Sequence, residues 1–277
     1  MKISHSLTPV LFTALLCTLP SCKEKLPVAQ NTNNSKPEKF SPAWKKSAEL
    51  RYEVVKKLPH DSSAFLQGLE IHNGQWLEST GLVGQSSIRR VTPATGKPSI
   101  VKNLTGNYFG EGLTELNGLV YQLTWQHQTG FIYDAATLEW KKNFNYQGEG
   151  WGLCNDGSAL YLSDGSNQIR VIDPATMKPT RTINVTWKGR SVKQLNELEW
   201  IEGEIFANIW QSDQIARIDP QTGKVISMID FTGIDREHPR RSPDHVLNGI
   251  AYDETTGLLY VSGKCWPQIY EVRLLPK

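Results

Sequence analysis

The stretch Gly110-Glu111-Gly112-Leu113-Thr114-Glu115 returns in varied form along the chain and decides the fold. Related six-residue units begin at positions 66, 110, 150, 195 and 247, at intervals of 44, 40, 45 and 52 residues. Each unit is followed by a turn and a second short apolar pattern, with a third pattern further on. Self-similarity at this period, with short alternating strands and no helical stretch between them, is typical of blades arranged around an axis. The sequence therefore predicts an all-β fold, a five-bladed β-propeller.

The chain length fits this architecture. Five units of roughly 45 residues require about 225 residues, and 48–277 supplies 230. The last repeat runs out after Leu274 and lacks an outer strand, whereas 51–58 forms a strand pattern ahead of the first unit. We predict that this N-terminal strand completes the last blade, which hides sheet edges that would otherwise invite aggregation.

Composition excludes two broad classes. The 277 residues carry 30 Lys and Arg against 28 Asp and Glu, a net charge of +2. A chain so close to neutral lacks the positive electrostatic potential that attracts a phosphate backbone, so a nucleic-acid partner is not expected. A mean hydropathy of −0.41 with 21% charged residues is that of a soluble globule rather than a multi-pass membrane protein.

The N-terminal sequence has the features of an export signal. Lys2 is followed by an uncharged stretch from Val10 to Pro20 that is too short to span a bilayer and is typical of a signal peptide. It ends in Leu19-Pro20-Ser21-Cys22, which resembles the bacterial lipobox. The resemblance implies that residues 1–21 are removed and that Cys22 is lipidated, which would anchor the protein in the bacterial cell envelope, at the outer membrane or facing the periplasm. A plain secretory signal with a fortuitous cysteine is the alternative.

Residues 22–47 have the composition of a tether. The segment holds six Lys and two Glu, a net +4, and almost no apolar residues. Such a segment cannot bury enough surface to offset its ordering entropy, so we predict a flexible linker. With Lys2 the N-terminal part carries +5, which leaves −3 for the predicted propeller at 48–277.

Cysteine and histidine give no framework for a metal site. Only Cys154 and Cys265 reach the predicted domain, where we expect two buried thiols, although export permits a disulfide between them. The six His are scattered without metal-ligand spacing, so no metal and no cofactor are predicted.

The second position of each unit is where a site is expected, because the innermost strand of a blade lines the central channel. These positions hold Gln67, Glu111, Trp151, Asn196 and Asn248. A glycosidase requires two carboxylates flanking the bond that it cleaves, and only Glu111 is available here. We expect Glu70, Glu115 and Glu199, further along the units, to lie at strand ends or to face outward.

The motifs resemble the metal-independent glutamine cyclotransferases of plants and bacteria. They include Phe109-Gly110-Glu111-Gly112-Leu113-Thr114, Gly150-Trp151-Gly152-Leu153 and Gly263-Lys264-Cys265-Trp266-Pro267, with further matches at 65–69, 195–199, 208–213 and 247–251. The resemblance covers all five repeats and implies a five-bladed propeller that converts N-terminal glutamine of peptides or proteins to pyroglutamate and releases ammonia, an aminoacyltransferase. It implies that Glu111 is the catalytic acid and that the pocket residues are Phe65, Gln67, Phe109, Trp125, Trp151, Asn196, Trp210 and Lys264. The lipobox, the tether and Cys265 beside the lysine differ from the family pattern.

The chemistry of cyclisation is compatible with a single carboxylate. Glu111 can take a proton from the attacking α-amine and return it to the leaving nitrogen. The oxyanion of the tetrahedral intermediate needs a donor, which Lys264, Gln67, Asn196 or an indole N–H can supply. Lys264 is our preferred charge stabiliser, and a structural ion pair with Glu111 or another acid is the alternative. The three tryptophans would form walls that fold the glutamine side chain toward its own amine.

Two other functions remain open from the residues alone. A lipid-anchored propeller can be a non-enzymatic module that binds peptides. A calcium-dependent lactonase would need several carboxylates that converge at the axis, and the second positions do not provide them.

Overall fold

The structure is a computed structural model that describes residues 42–238 and 242–277. The chain divides into two units, Met1–Phe40 and Ser41–Lys277, and the described residues belong to the second. The predicted signal peptide and the lipidation site at Cys22 lie outside the described residues. No helix within the described ranges has the length and apolar character needed to cross a membrane.

The regular secondary structure of the described chain is almost entirely β-strand. In chain order its strands are β1 (Leu50–Pro59), β2 (Leu66–His72), β3 (Gln75–Thr80), β4 (Ser87–Thr92), β5 (Lys97–Asn103), β6 (Gly110–Leu116), β7 (Leu119–Thr124), β8 (Thr129–Asp134), β9 (Trp140–Asn145), β10 (Leu153–Asn155), β11 (Leu160–Ser163), β12 (Gln168–Asp173), β13 (Lys178–Asn184), β14 (Thr186–Trp187), β15 (Arg190–Ser191), β16 (Leu195–Ile201), β17 (Glu204–Ile209), β18 (Gln214–Ile218), β19 (Val225–Asp230), β20 (Leu247–Asp253), β21 (Leu258–Gly263) and β22 (Gln268–Pro276). A short 3-10 helix, Ala43–Lys46, precedes β1.

These strands form five four-stranded antiparallel sheets in the described chain, one for each repeat. Blades 1 to 4 are β2–β5, β6–β9, β10–β13 and β16–β19, and β14 and β15 form a separate small hairpin. The innermost strands β2, β6, β10, β16 and β20 contact one another in cyclic order and close the ring. The five-bladed propeller predicted from the repeats is confirmed.

Blade 5 is closed as the sequence predicts. Its strand order is β1-β22-β21-β20, so the N-terminal strand is the outermost strand of the last blade. The register runs from Leu50 opposite Pro276 to Pro59 opposite Gln268. Strands from the two ends of the chain therefore share one sheet, which covers the edge of β22.

The apolar core lies between the blades. The buried residues of the described chain fall into five clusters, and each cluster joins two neighbouring blades. Leu77 and Ile88 of blade 1, for example, pack with Leu113 and Val120 of blade 2. This arrangement follows from alternation, because each inner strand buries side chains on both faces of its sheet.

The prediction of a flexible linker through Ser47 is wrong for the described residues 42–47. Trp44 is 3% exposed, and its ring meets that of Phe206 edge to face at 5.6 Å. The Arg217 guanidinium lies 5.1 Å from the Trp44 ring centroid and donates to the carbonyl oxygens of Lys45 at 2.6 Å and Ser47 at 2.7 Å. One buried tryptophan and one buried arginine thus order a segment whose average composition is that of a linker.

Blade 3 departs from the repeat pattern at its inner strand. The unit at 150–155 predicts a full strand, but β10 covers only Leu153–Asn155. Gly150 N donates to the Trp125 carbonyl at 3.0 Å, and Gly112 N donates to the Trp151 carbonyl at 2.8 Å. Trp151 N donates to the Ser163 carbonyl of blade 3 at 2.9 Å, so the backbone at Gly150 and Trp151 bonds to both blades and lies at the seam between them.

Candidate active site

A β-bulge lies at the second position of four repeat units. The pairing of the innermost strand with its neighbour shifts between Leu66 and Gly68, between Gly110 and Leu113, between Leu195 and Leu198, and between Leu247 and Ile250. A bulge leaves a residue out of the ladder and re-aims its side chain. The residues concerned include Gln67, Glu111, Asn196 and Asn248, all of which are buried. The register shifts thus occur at four buried polar side chains in equivalent places of the ring.

The third position is glycine in four units because the innermost strands approach each other there. A Cβ on Gly112 would lie 2.6 Å from Leu153 N, and one on Gly152 would lie 2.0 Å from the Asn196 carbonyl oxygen. The fourth unit carries Glu197 at this position. Its carboxylate accepts hydrogen bonds from Ile250 N at 2.9 Å and Leu69 N at 3.3 Å. Glu197 therefore ties blade 4 to blades 5 and 1.

A cavity of about 400 Å³ opens where the bulged residues converge. It is lined by Phe65, Gln67, Leu82, Phe109, Glu111, Trp125, Trp151, Asn196, Trp210, Asp244 and Lys264. All nine residues that the resemblance assigns to the site are brought together here. Two lining residues were missed, Leu82 between β3 and β4 and Asp244 between β19 and β20, because neither lies in a repeat unit.

Glu111 is the buried carboxyl of the cavity, and its side chain is held at one oxygen. Gln67 Nε2 donates to Glu111 Oε1 at 2.8 Å, and Asn248 Nδ2 donates to Gln67 Oε1 at 3.1 Å. The repeat pattern placed Asn248 among the second positions, but the family resemblance did not assign it to the pocket, and it does not line the cavity. Glu111 Oε2 has no hydrogen-bond partner among the described residues, so one oxygen remains available to a bound molecule.

The pKa of Glu111 is raised well above its ordinary value. Burial is the main cause; the positive charge of Lys264 opposes the shift, the negative charge of Glu149 adds to it, and the hydrogen bond from Gln67 opposes it. A carboxyl group whose pKa is moved toward neutral pH is suited both to accept and to return a proton.

Lys264 is the buried cation of the cavity. Burial lowers its pKa, and the negative charges of Glu111, Asp244 and Cys265 oppose this shift. Its Nζ lies 4.9 Å from the Phe65 ring centroid, and the ion pairs of the described residues do not include it. The alternative left open by the sequence, a structural ion pair of Lys264 with Glu111 or another acid, is therefore not found among the described residues.

Aromatic rings form the cavity wall in two edge-to-face sets. Phe109 contacts both Phe65 and Trp125 at centroid distances of 5.9 Å. Trp151 contacts Trp210 at 5.6 Å and 85°. Polarised edges pack against ring faces in this geometry, which fixes the orientation of each ring. The three tryptophans that the sequence analysis expected as walls line this cavity together with the two phenylalanines.

Glu149 is a further residue at the wall that the sequence did not single out. Its Oε2 accepts hydrogen bonds from Trp125 Nε1 at 2.8 Å and Trp151 Nε1 at 2.9 Å. These two indole N–H groups are therefore engaged, and neither is a free donor for an oxyanion. No motif could have revealed Glu149, since it lies outside the repeat units and its partners come from two blades.

The chain matches a family model over 25–274, and the description of that family is glutamine cyclotransferase. The chain belongs to the glutamine cyclotransferase family. It is 45% identical over 227 residues to the glutaminyl-peptide cyclotransferase of Arabidopsis thaliana, a match that covers 80% of this chain and 71% of the relative. The crystal structure of Myxococcus xanthus glutaminyl cyclase superposes with a TM-score of 0.77 at 35% identity, covering 82% of this chain and 97% of that one. The family resemblance expected from the motifs is confirmed.

Three further acids of this glutamine cyclotransferase chain were expected at strand ends or facing outward, but the structure places them in the interior. Glu70, Glu115 and Glu199 are buried, and none of them lines the cavity. Glu70 accepts hydrogen bonds from Thr114 Oγ1 at 2.6 Å and Glu115 N at 3.0 Å, and Glu199 accepts one from Tyr252 N at 3.1 Å. The innermost strands lie so close that side chains beyond the third position are enclosed between blades rather than exposed.

One group of three potential metal ligands occurs among the described residues of this family member. It consists of Glu70, His72 and Glu115, whose ligand atoms lie within 4.8 Å of one another. His72 Nδ1 lies 2.7 Å from Glu115 Oε2. Spacing alone did not indicate this group, because its members come from two strands.

The two thiols of the cyclotransferase domain are not joined by a disulfide. Cys154 is 1% exposed in the core between blades 3 and 4, as expected of a buried thiol. Cys265 is half-buried beside Lys264, so the expectation of a buried thiol is wrong there.

Proposed function

We propose that this chain is a glutaminyl-peptide cyclotransferase that closes the N-terminal glutamine of peptides or proteins to pyroglutamate and releases ammonia. Membership of the family and the names of the two relatives support the reaction. The observation that carries the assignment to this cavity is Glu111, a buried carboxyl with one oxygen held by Gln67 and the other unpartnered among the described residues.

The cavity suits one folded side chain. Its volume of about 400 Å³ is of the size that proteins use for small ligands. Edge-to-face aromatic walls restrict the substrate side chain to bent conformations, and bringing the α-amine close to the side-chain amide is what cyclisation requires. The substrate backbone beyond the glutamine leaves through the open side, where Trp125 is 38% exposed.

Glu111 would move one proton in two steps. The α-amine nitrogen attacks the side-chain amide carbon, the new C–N bond forms, and Glu111 takes a proton from that nitrogen. Glu111 then returns the proton to the amide nitrogen, the old C–N bond breaks, and ammonia leaves as the carbonyl re-forms. Atoms and charges balance without a second acid, since the same carboxyl group accepts and donates.

Lys264 would stabilise the oxyanion of the tetrahedral intermediate. A buried ammonium group that is not held in an ion pair can direct its positive charge at a developing negative oxygen. Asn196 lines the same cavity, and its Oδ1, which has no hydrogen-bond partner among the described residues, can accept a hydrogen bond from an N–H of the substrate. The indoles of Trp125 and Trp151 contribute shape rather than donors, because both are bonded to Glu149.

A single experiment tests the reaction and the role of Glu111 together. The full chain is incubated with a glutamine-initiated dipeptide in EDTA, and ammonia is measured beside the mass of the peptide. We expect one ammonia for each cyclised peptide and a loss in kcat of about 10²–10⁴-fold for Glu111→Gln. Glu139→Gln is the matched control, since Glu139 is an exposed acid paired with Lys102. Full activity of Glu111→Gln would contradict the role of Glu111, and no ammonia from the unmodified chain would contradict the function.

We also propose that the protein is exported and anchored in the cell envelope through a lipid on Cys22. The sequence Leu19-Pro20-Ser21-Cys22 supports this, and the family match begins at residue 25, after that cysteine. In a bacterial host fed a labelled fatty acid, we expect label and membrane association in the full chain and neither in Cys22→Ala. An unlabelled full chain of unreduced length would overturn the proposal.

A further inference from the structure

We propose that Glu149 is a positioning residue of the cyclisation site, whose carboxylate fixes the two tryptophans at the seam of the cavity wall and whose charge acts on Glu111. The inference rests on the proposed function and adds a second carboxylate to it. Glu149 does not line the cavity, so it acts through its neighbours rather than on the substrate.

The first observation is the sharing of one carboxylate by two blades. Trp125 follows β7 of blade 2, and Trp151 precedes β10 of blade 3. Both indoles donate to Oε2 of Glu149, at 2.8 Å and 2.9 Å, while Gln126 Nε2 donates to Oε1 at 3.0 Å. Hydrogen bonds to a charged acceptor are stronger than neutral ones, so three donors on one carboxylate fix their groups firmly.

The second observation is the place of these bonds in the wall. One aromatic set ends at Trp125 through its contact with Phe109, and the other begins at Trp151 through its contact with Trp210. Glu149 joins the two sets. If the carboxylate were removed, each indole would keep its ring contact on one side and lose its fixed orientation on the other.

The backbone around Glu149 is itself anchored. Arg170 donates from its guanidinium to the Glu149 carbonyl oxygen at 2.8 Å, and Gly150 N donates to the Trp125 carbonyl oxygen at 3.0 Å. A carboxylate that is fixed before the substrate arrives costs no ordering entropy on binding, which is how supporting residues improve a site.

The charge of Glu149 also reaches the proton-transfer group. Burial raises the pKa of Glu149 itself, but the hydrogen bonds from Trp151, Gln126 and Trp125 together outweigh burial, and the net shift is downward. Glu149 is therefore ionised at neutral pH. Its negative charge raises the pKa of Glu111, against the opposing effects of Lys264 and Gln67. Other titratable or charged groups also surround the pair. Asp244 and Cys265 act on the pKa of Lys264, Tyr146 has a pKa that responds to both Glu111 and Arg170, and the Arg170 guanidinium bonds to the Glu149 carbonyl oxygen.

Two substitutions distinguish the role of Glu149 as a hydrogen-bond acceptor from the role of its negative charge. Glu149→Gln keeps an oxygen that accepts the indole N–H groups, and Gln126 can rotate its amide to match, but the negative charge is lost. Glu149→Ala removes both. Glu139→Gln is the control, since it removes a charge from an exposed acid of blade 2.

The kinetic test uses the full chain and a glutamine-initiated dipeptide over a range of pH. We expect Glu149→Gln to keep KM within about twofold and to move the acid limb of the kcat/KM profile to lower pH, because the pKa of Glu111 falls. Glu149→Ala should move the same limb and raise KM about tenfold, the scale of one lost hydrogen bond to a charged group. An unchanged pH profile with unchanged KM in both variants would overturn the proposal.

A second measurement does not depend on activity. In a ¹H–¹⁵N spectrum each tryptophan gives one indole N–H signal, and Trp125→Phe and Trp151→Phe assign two of them. We expect both signals to exchange slowly with solvent in the unmodified chain and in Glu149→Gln, and rapidly in Glu149→Ala. Slow exchange of both indole signals in Glu149→Ala would overturn the proposal for Glu149, even if the chain released no ammonia. An unmodified chain that is inactive but shows the expected exchange would contradict the proposed function alone.

Discussion

Gln67 Nε2 donates to Glu111 Oε1 at 2.8 Å across the boundary between blades 1 and 2, although the two residues lie 44 positions apart. They occupy the same position in successive repeat units, and a bulge turns each out of its ladder. The repeat period therefore brings together the carboxyl group and the amide that orients it.

Gln67→Ala should lower kcat more than it raises KM. The hydrogen bond from Gln67 lowers the pKa of Glu111, so its loss lets that pKa rise further and misaligns the carboxyl group. We expect kcat to fall about 10- to 100-fold, the range for a hydrogen bond to a charged group, and the acid limb of the pH profile to move to higher pH. Asn248→Ala, one step further away, should show the same shift with a smaller loss. A change in KM alone would contradict the orienting role.

Lys264→Met should reduce kcat with little change in KM. An oxyanion forms only after attack, so a residue that stabilises it acts on the transition state rather than on the bound peptide. We expect a loss of about 10²–10³-fold in kcat, the range for one oxyanion donor, and partial recovery in Lys264→Arg. A variant whose KM rises while kcat holds would show that Lys264 binds the peptide instead.

Stability should decrease as the pH rises above neutrality because of His60. Its Nδ1 lies 2.6 Å from the Trp266 carbonyl oxygen and its Nε2 lies 3.2 Å from Glu78 Oε1. Both ring nitrogens thus face acceptors, an arrangement that favours the imidazolium form. Burial and the charge of Arg89 lower the pKa of His60, but the charge and hydrogen bonding of Glu78 and the bond to Trp266 outweigh them, and the net shift is upward from 6.5.

The pH dependence follows from this upward shift. The stabilisation is complete below 6.5, the value of the unfolded chain, and is lost as the pH rises through the higher pKa of the folded chain. Urea unfolding of the unmodified chain between pH 6 and 9 should show this decrease, about 1–3 kcal/mol for a charged hydrogen bond. In His60→Gln the decrease should be absent. An equal slope in both proteins would assign the effect to another group.

Trp44→Ala should destabilise the propeller although Trp44 lies before its first strand. Its ring is buried against Phe206 and beneath the Arg217 guanidinium. The free energy of unfolding should fall by about 3–5 kcal/mol, the usual range for removing a buried large aromatic side chain. Trp140 is 60% exposed on β9, so Trp140→Ala serves as the control and should change stability by less than about 0.5 kcal/mol. A loss in the free energy of unfolding for Trp44→Ala as small as that of the control would show that Trp44 does not stabilise the propeller.

Much of the fold is visible in the sequence because it is encoded locally. Each repeat unit carries its own strand alternation and its own turns, so the number of blades and the N-terminal closure follow from spacing. Trp44 shows the limit of such reasoning. A window average over 22–47 is dominated by lysine and asparagine, whereas the order of its last residues depends on Arg217, which is 173 residues away.

The sequence by itself determined five blades and the closing strand, since these are properties of a repeat. The family resemblance carried by its motifs pointed to Glu111, Lys264 and the aromatic residues around them. Only the tertiary structure decided which way the bulged side chains point, that Lys264 is outside the ion pairs of the described residues, that Glu70, Glu115 and Glu199 are enclosed, and that Glu149 holds two indoles. These features arise from contacts between strands that are far apart in the chain. A linear pattern specifies which residues lie on a strand, but the geometry between neighbouring blades determines what each side chain meets.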